Sequence, residues 1–256
     1  MSRPTVAEPT GIDTGGADRP EARRAAERLA HRTPLWTLAE KVRPEHCALV
    51  VIDVQNEFCA PGGMMDCEGL PLDAVEAMAR RIPATIDAAR AAGATVVFVR
   101  NTYSTGDNHY LSDVWLEQAT RRRAGSYTLR EVCAEGSFGW RFFEGIEPLA
   151  GEPVVTKHRF GAFHATDLDV ILRSKGVRTV VFVGVASNVC VETSAREAFL
   201  RDYYVVFTSD GTAAYDDESH RNTLAVIDRY FGEVVPVADV EAAWGAASVD
   251  PAGPNR

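Results

Sequence analysis

Short runs of apolar, mostly β-branched residues recur along the chain, and they alternate with segments whose apolar residues return every three or four positions. The runs are Cys47-Ala48-Leu49-Val50-Val51-Ile52, Ala94 to Arg100, Pro153-Val154-Val155-Thr156, Thr179-Val180-Val181-Phe182-Val183, Tyr204 to Thr208 and Glu233 to Val237. Continuous apolar runs bounded by turn residues suit strands buried on both faces of a parallel sheet. Helical spacing predicts a helix over Leu72 to Ala92, closed by Gly93. A second helix is opened by Thr166, with Asp169 three residues on in a capping-box pattern, and ends near Gly176. A third, with Val189, Ala195, Ala198 and Phe199 on one face, reaches about Arg201, with Ser187 or Asn188 as its cap. A fourth covers Asp217 to Phe231. Alternating strands and helices predict a three-layer α/β/α, Rossmann-like fold with a mostly parallel sheet of about six strands.

Three stretches stand outside that alternation. Residues 1–32, rich in Pro, Gly, Ala, Thr and mixed charge, read as a disordered tail with room for a short helix around Pro20 to His31. Thr33 to Arg43, with Pro34, Leu35 and Trp36, reads as an arm, so the domain is placed at 33–243 and a C-terminal tail at 244–256. Asn101 to Gly139 is the least regular part, with aromatic residues spread through polar sequence, as in long connections that line pockets.

Composition narrows the function classes. The 256 residues carry a formal net charge of -9, and the only dense positive run is Arg121-Arg122-Arg123, which argues against a nucleic-acid binder. Five cysteines form no CxxC pair and no regular framework, which predicts reduced thiols in a cytoplasmic protein and no structural zinc. No stretch approaches a membrane span or a signal-peptide core.

Candidate chemistry gathers at the ends of three predicted strands, where Asp53, Lys157 and Cys190 stand. In a parallel sheet such ends open on one edge, the edge where open α/β sheets hold ligands. Cys190 lies in the first turn of its helix, where free N–H groups favour a thiolate and a developing oxyanion. A carboxylate with a raised pKa can take the thiol proton, and a lysine beside it can hold the carboxylate, a set that hydrolyses amides through a thioester. Plain alternatives stand beside each: a small core cysteine, a turn aspartate, or a Cys–His pairing through His158 or His164.

The segments around these residues resemble one family. Asp53-Val54-Gln55-Asn56-Glu57-Phe58 resembles the D-x-Q-x-x-F strand end of the isochorismatase-like cysteine hydrolases. Lys157 with Phe160-Gly161-Ala162-Phe163 resembles their lysine segment, and Gly184-Val185-Ala186-Ser187-Asn188-Val189-Cys190-Val191 their cysteine segment, within a resemblance spanning about Cys47 to Val237. It implies a triad of Cys190 as nucleophile, Asp53 as proton acceptor and donor, and Lys157 as electrostatic partner. It also implies a cis peptide between Val185 and Ala186, an oxyanion hole from the Ala186 and Cys190 N–H groups, and a homo-oligomer. Nicotinamidases of the family carry an Asp-x-His metal element after the second strand; Asn101-Thr102-Tyr103 stands there, so no metal and no cofactor are expected. True isochorismatases lack the cysteine, so Cys190 favours C–N bond hydrolysis. The chain is most similar to the ureidoacrylate, N-carbamoylsarcosine and biuret hydrolases, which implies a small amide or ureido substrate. Asn188 and Arg100-Asn101 resemble the ureidoacrylate group, although that group usually has tyrosines where Phe58 and Met64 stand.

Candidate substrate-binding residues are Asn56, Phe58, Asn101, Trp140, Phe160 and Phe163, with His158 and Arg159 as possible holders of a carboxylate. Two other readings are a vinyl-ether hydrolase of the isochorismatase type and an inactive oligomeric scaffold of the same fold.

Overall fold

The computed structural model describes residue 28 and residues 31–103, 109–123 and 131–249. The expected helix around Pro20 and most of the N-terminal tail lie outside the described residues, as does Tyr127. The chain divides into two compact units, 1–36 and 37–256. The six strands among the described residues belong to the second unit: β1 (Cys47–Ile52), β2 (Thr95–Asn101), β3 (Val154–Lys157), β4 (Thr179–Val185), β5 (Tyr204–Ala213) and β6 (Glu233–Val235). They form one sheet in the order β3-β2-β1-β4-β5-β6, parallel throughout. β1 and β4 are central, and every residue of both is buried, which is why they read as unbroken apolar runs.

The chain winds outward from β1 through β2 and β3, then returns to β4 beside β1 and winds the other way. Connections therefore diverge at the carboxyl ends of β1 and β4, and a crevice opens between them. Residues 53–58 and 186–191, the two segments singled out above, leave the sheet at that crevice.

Alternate residues of each strand feed two cores. Leu49, Val51, Phe98, Val181 and Val183 point to one face and pack with Val75, Met78, Ile82 and Ile86 of α1 (Asp73–Ala92). Ala48, Val50, Ile52, Val97 and Phe182 point to the other. There they meet α3 (Leu168–Ser174), α4 (Glu192–Phe199) and α5 (Asp217–Tyr230) through Leu168, Leu172, Ala195, Ala198 and Ile227. Period-2 alternation in the strands and helical spacing outside them thus build three layers.

Several boundaries differ from the sequence reading. The segment 101–139 contains α2 (Asp113–Arg123), whose polar sequence carries little apolar periodicity and gains an i,i+4 ion pair between Glu117 and Arg121 at 3.0 Å. β5 runs on past Thr208: Phe207 pairs with Phe182, then Thr212 with Gly184, so Ser209-Asp210-Gly211 bulges within a strand where it resembles a terminating turn. β6 stops at Val235 because Pro236 cannot continue the ladder.

The tail expected from residue 244 is instead the middle of α6 (Val237–Val249). Trp244 is buried, and its indole N–H donates to the Val42 carbonyl at 2.8 Å. The small, weakly amphipathic residues around it hide this anchor from a pattern search. Residues 37–43 join the same unit: Thr37 and Glu40 form a capping box, and Lys41 pairs with Glu233 at 2.7 Å. The arm expected over 33–43 therefore divides at Trp36. Capping at α3 also differs, since Asp169 accepts from the Tyr203 hydroxyl at 2.8 Å rather than closing a box with Thr166. Among the described residues no helix is long and apolar enough to cross a membrane.

Candidate active site

Asp53, Lys157 and Cys190 meet at the floor of the crevice. Asp53 follows β1 with φ 51°, a left-handed conformation that aspartate tolerates better than most residues, and its N–H is held by the Val99 carbonyl at 3.0 Å. Lys157 closes β3 and is wholly buried. Its ammonium lies 2.8 Å from Asp53 Oδ2, 3.5 Å from Cys190 Sγ and 3.0 Å from the Arg159 carbonyl, so all three of its N–H donors are used. Asn101 Nδ2 gives Asp53 Oδ2 a second donor at 3.2 Å. Asp53 Oδ1 and Asn101 Oδ1 are buried acceptors without a hydrogen-bond partner.

Gln55 fixes the two strand ends relative to each other. Its side-chain oxygen accepts the Asn101 N–H at 2.7 Å, and its amide donates to the carbonyls of Asn101 and Trp140 at 3.1 and 2.9 Å.

Cys190 lies in a π-helical turn, Ser187–Val191, that precedes α4. Neither Ser187 nor Asn188 caps it: Ala186 is the N-cap residue and makes no side-chain cap bond. The Ala186 carbonyl accepts from Val189 at 3.0 Å and from Val191 at 3.2 Å, passing over Cys190. The Val185–Ala186 peptide is cis. Gly184, at φ 123°, leaves no room for a side chain, since a Cβ there would run into the Ile52 carbonyl of β1.

Burial governs the protonation of the cluster. It raises the Asp53 pKa above the ordinary carboxylate value, against the opposing pull of the Lys157 charge and hydrogen bond. For Lys157, burial works to lower the pKa, but the Asp53 and Cys190 charges outweigh it and the net direction is up. The Cys190 thiol is pushed up to about 12, by burial first, with Lys157 opposing. The resting sulfur is therefore a thiol beside a carboxyl group of raised basicity.

A cavity of about 660 Å³ lies above these groups, and Asp53, Cys190, Ala186 and Asn188 all line it. Of the residues expected to touch a ligand, Phe58, Asn101 and Phe160 line the cavity. The other three face elsewhere. Asn56 donates to the Phe138 carbonyl at 3.1 Å and borders a separate surface depression. Trp140 gives its indole N–H to Thr102 Oγ1 at 2.8 Å and carries the Arg100 guanidinium 3.5 Å from its ring centre, bracing the β2 end. Phe163 is buried in the core under the opposite face of the sheet, beside Tyr203.

The histidine alternatives do not reach the sulfur. His158 Nδ1 bonds to the Thr102 carbonyl at 2.7 Å and its ring stacks on Tyr110, while His164 is exposed. Arg159 Nη1 donates to the carbonyls of Tyr110 and His158 at 2.9 and 2.6 Å, and the guanidinium lies over the Trp115 ring.

Met65, Glu68, Tyr103, Gln118, Tyr215 and Asp216 also line the cavity. Tyr103 follows β2, and Tyr215 and Asp216 follow the true end of β5, so the strand-end rule finds them once β5 is given its full length. Met65 lies on a one-turn helix, Glu68 caps its C-terminus and Gln118 lies on α2, where nothing in the sequence marks them.

Residues 47–239 match the isochorismatase domain model. Ureidoacrylate amidohydrolase RutB of Methylobacterium radiotolerans is 36% identical over 221 residues, which cover 82% of this chain and 84% of that protein. RutB of Rhizobium rhizogenes is 30% identical over 256 residues, or 96% of this chain and 99% of that protein. Among solved structures, a cysteine hydrolase from Pseudomonas syringae superposes with a TM-score of 0.70 at 27% identity, covering 84% of this chain and 99% of that one. N-carbamoylsarcosine amidase from Thermoplasma acidophilum does so with a TM-score of 0.59 at 26% identity, covering 75% and 96%. The chain belongs to the isochorismatase family, and within it is a hydrolase of carbon–nitrogen bonds other than peptide bonds.

Proposed function

We propose that this protein is a metal-independent cysteine amidohydrolase that cleaves a C–N bond of a small ureido or carboxamide compound through a thioester on Cys190. The observation that carries the reading is a thiol at the cavity floor, 3.5 Å from a fully buried ammonium that is itself paired with a carboxylate of raised pKa. In the first step Asp53 takes the Cys190 proton as the sulfur attacks the substrate carbonyl carbon. The unpartnered Oδ1 of Asp53 is the acceptor, because Oδ2 already serves Lys157 and Asn101.

The carbonyl oxygen becomes an oxyanion between the N–H groups of Ala186 and Cys190, the latter passed over by the π turn. One such donor typically contributes ~3 kcal/mol to the barrier. Collapse of the intermediate breaks the C–N bond, and protonated Asp53 returns its proton to the leaving nitrogen. Water then attacks the thioester, again giving a proton to Asp53, and the acid or carbamate leaves as the thiol reforms. Lys157 keeps its proton throughout and stabilises Asp53 in its charged form.

The relatives named as ureidoacrylate amidohydrolases support a ureido substrate, with Asn101, Phe58 and Phe160 at its binding surface. An ammonia-release screen across ureidoacrylate, biuret, N-carbamoyl amino acids and simple carboxamides tests the reading. Turnover of a ureido compound is expected. Absence of ammonia from every member overturns it, and turnover of a vinyl ether such as isochorismate then points to the non-covalent alternative.

A further inference from the structure

The ring of His220, on α5, joins two parts of the chain that the chemistry needs held together. Its Nδ1 lies 2.9 Å from the Ser187 hydroxyl, and its Nε2 lies 2.9 Å from the Ser209 carbonyl. A carbonyl only accepts, so Nε2 carries the ring proton and, in the neutral ring, Nδ1 accepts from Ser187 Oγ–H. Ser187 is wholly buried, follows Ala186 directly and opens the π turn that carries Cys190. Ser209 belongs to the β5 bulge, where the ladder skips from Phe207 to Thr212 and leaves its carbonyl outside the regular pairing. The bulge thus supplies the acceptor that fixes the ring, and the ring fixes the turn.

We propose that His220 is a positioning residue for hydrolysis, setting the aim of the Ala186 and Cys190 N–H groups through its bond to the Ser187 hydroxyl. The inference rests on the amidohydrolase reading above. The oxyanion pair is anchored on its inner side by the strand end at Val185, which is buried. On its outer side the Ser187–His220 bond tethers the start of the turn, while the Ser194 hydroxyl, donating to the Cys190 carbonyl at 2.6 Å, holds its far end. Loss of the Ser187–His220 bond frees the start of the turn to relax while Asp53, Lys157 and the cavity wall contributed by other elements stay in place, so transition-state stabilisation suffers more than substrate binding.

Two substitutions separate the ring's two bonds. In His220→Asn the side-chain oxygen sits near the position of Nδ1 and can accept from Ser187, whereas the reach to Ser209 is lost. In His220→Gln the terminal amide reaches the Nε2 position and can donate to Ser209, whereas the Ser187 bond is lost. Ser187→Ala removes the same bond from the other side. Wild type and variants are assayed on whichever compound the ammonia screen finds best, with thermal unfolding measured alongside.

The expected result is a kcat about ten- to a hundredfold lower in His220→Gln and Ser187→Ala with KM changed by no more than about twofold. His220→Asn should stay within about threefold of wild type, and the His220→Gln/Ser187→Ala double variant should be no worse than either single variant. Equal losses in His220→Asn and His220→Gln, or losses that track the fall in unfolding temperature, overturn the proposal. So does wild-type kcat in a folded Ser187→Ala variant. A wild-type enzyme that turns over nothing in the screen overturns the functional reading itself, which is a different failure.

Discussion

Replacing Lys157 by methionine keeps most of the side chain's length and apolar volume while deleting its charge. The ammonium and the Asp53 carboxylate are both essentially inaccessible to water and lie 2.8 Å apart. Removing one partner of such a buried pair typically costs about 3–5 kcal/mol, because the remaining charge is left without compensation. Asp53 has an escape, which is to take up a proton. Burial already raises its pKa with Lys157 in place, and without the ammonium the main opposing influence is gone, so the folded-state pKa rises further. A carboxyl group whose folded-state pKa lies above its unfolded value favours the fold while protonated and loses that contribution as pH rises. The stability deficit of Lys157→Met relative to wild type should therefore grow with pH above the wild-type Asp53 pKa, by up to about 1.4 kcal/mol per unit. Urea unfolding of both proteins at pH 5, 6, 7 and 8 measures this directly, with near-complete loss of turnover at each pH. A deficit that is flat or shrinks with rising pH, or one below about 1 kcal/mol at pH 7, refutes a charged Asp53–Lys157 pair.

Three further outcomes follow from the same geometry. Because burial holds the Cys190 thiol near 12, its alkylation by iodoacetamide in the free enzyme should rise about tenfold per pH unit above pH 8, read by peptide mapping with the exposed Cys67 as reference; a plateau below pH 8 contradicts this. Gly184→Ala should lower stability by about 2–5 kcal/mol, since the added Cβ meets the β1 backbone at a φ few other residues adopt, and an unchanged urea midpoint contradicts the packing of β4 on β1. Trp244→Ala should cost about 3–5 kcal/mol in the same assay, whereas truncation of a loose tail would cost nothing.

The parts of this molecule legible from its sequence are those where burial imposes a local pattern. β1 and β4 are recognisable because both faces are covered and no polar residue interrupts them. Asp53, Lys157 and Cys190 are recognisable because each is a reactive side chain placed where an apolar strand ends, fully buried in β1 and β4 and half-exposed in the edge strand β3, and parallel topology brings such ends to one edge. What escaped is held by contacts with no local signature. Ser209-Asp210-Gly211 has the composition of a turn, and only pairing with β4 on either side makes it a bulge. Trp244 is a single large residue among alanines, and its partner Val42 is about two hundred residues away. Asn56, Trp140 and Phe163 read from sequence as facing a ligand, but their orientation depends on Phe138, Thr102 and Tyr203, which lie on other elements.

Ammonia release by Cys190→Ala, measured beside wild type on the best compound of the screen, tests the nucleophile most directly. With near-ultraviolet circular dichroism and the urea midpoint unchanged, the account predicts a rate about 10⁴-fold or more below wild type. A folded Cys190→Ala protein that keeps more than about one percent of the wild-type rate contradicts it, because no thioester can then lie on the main path.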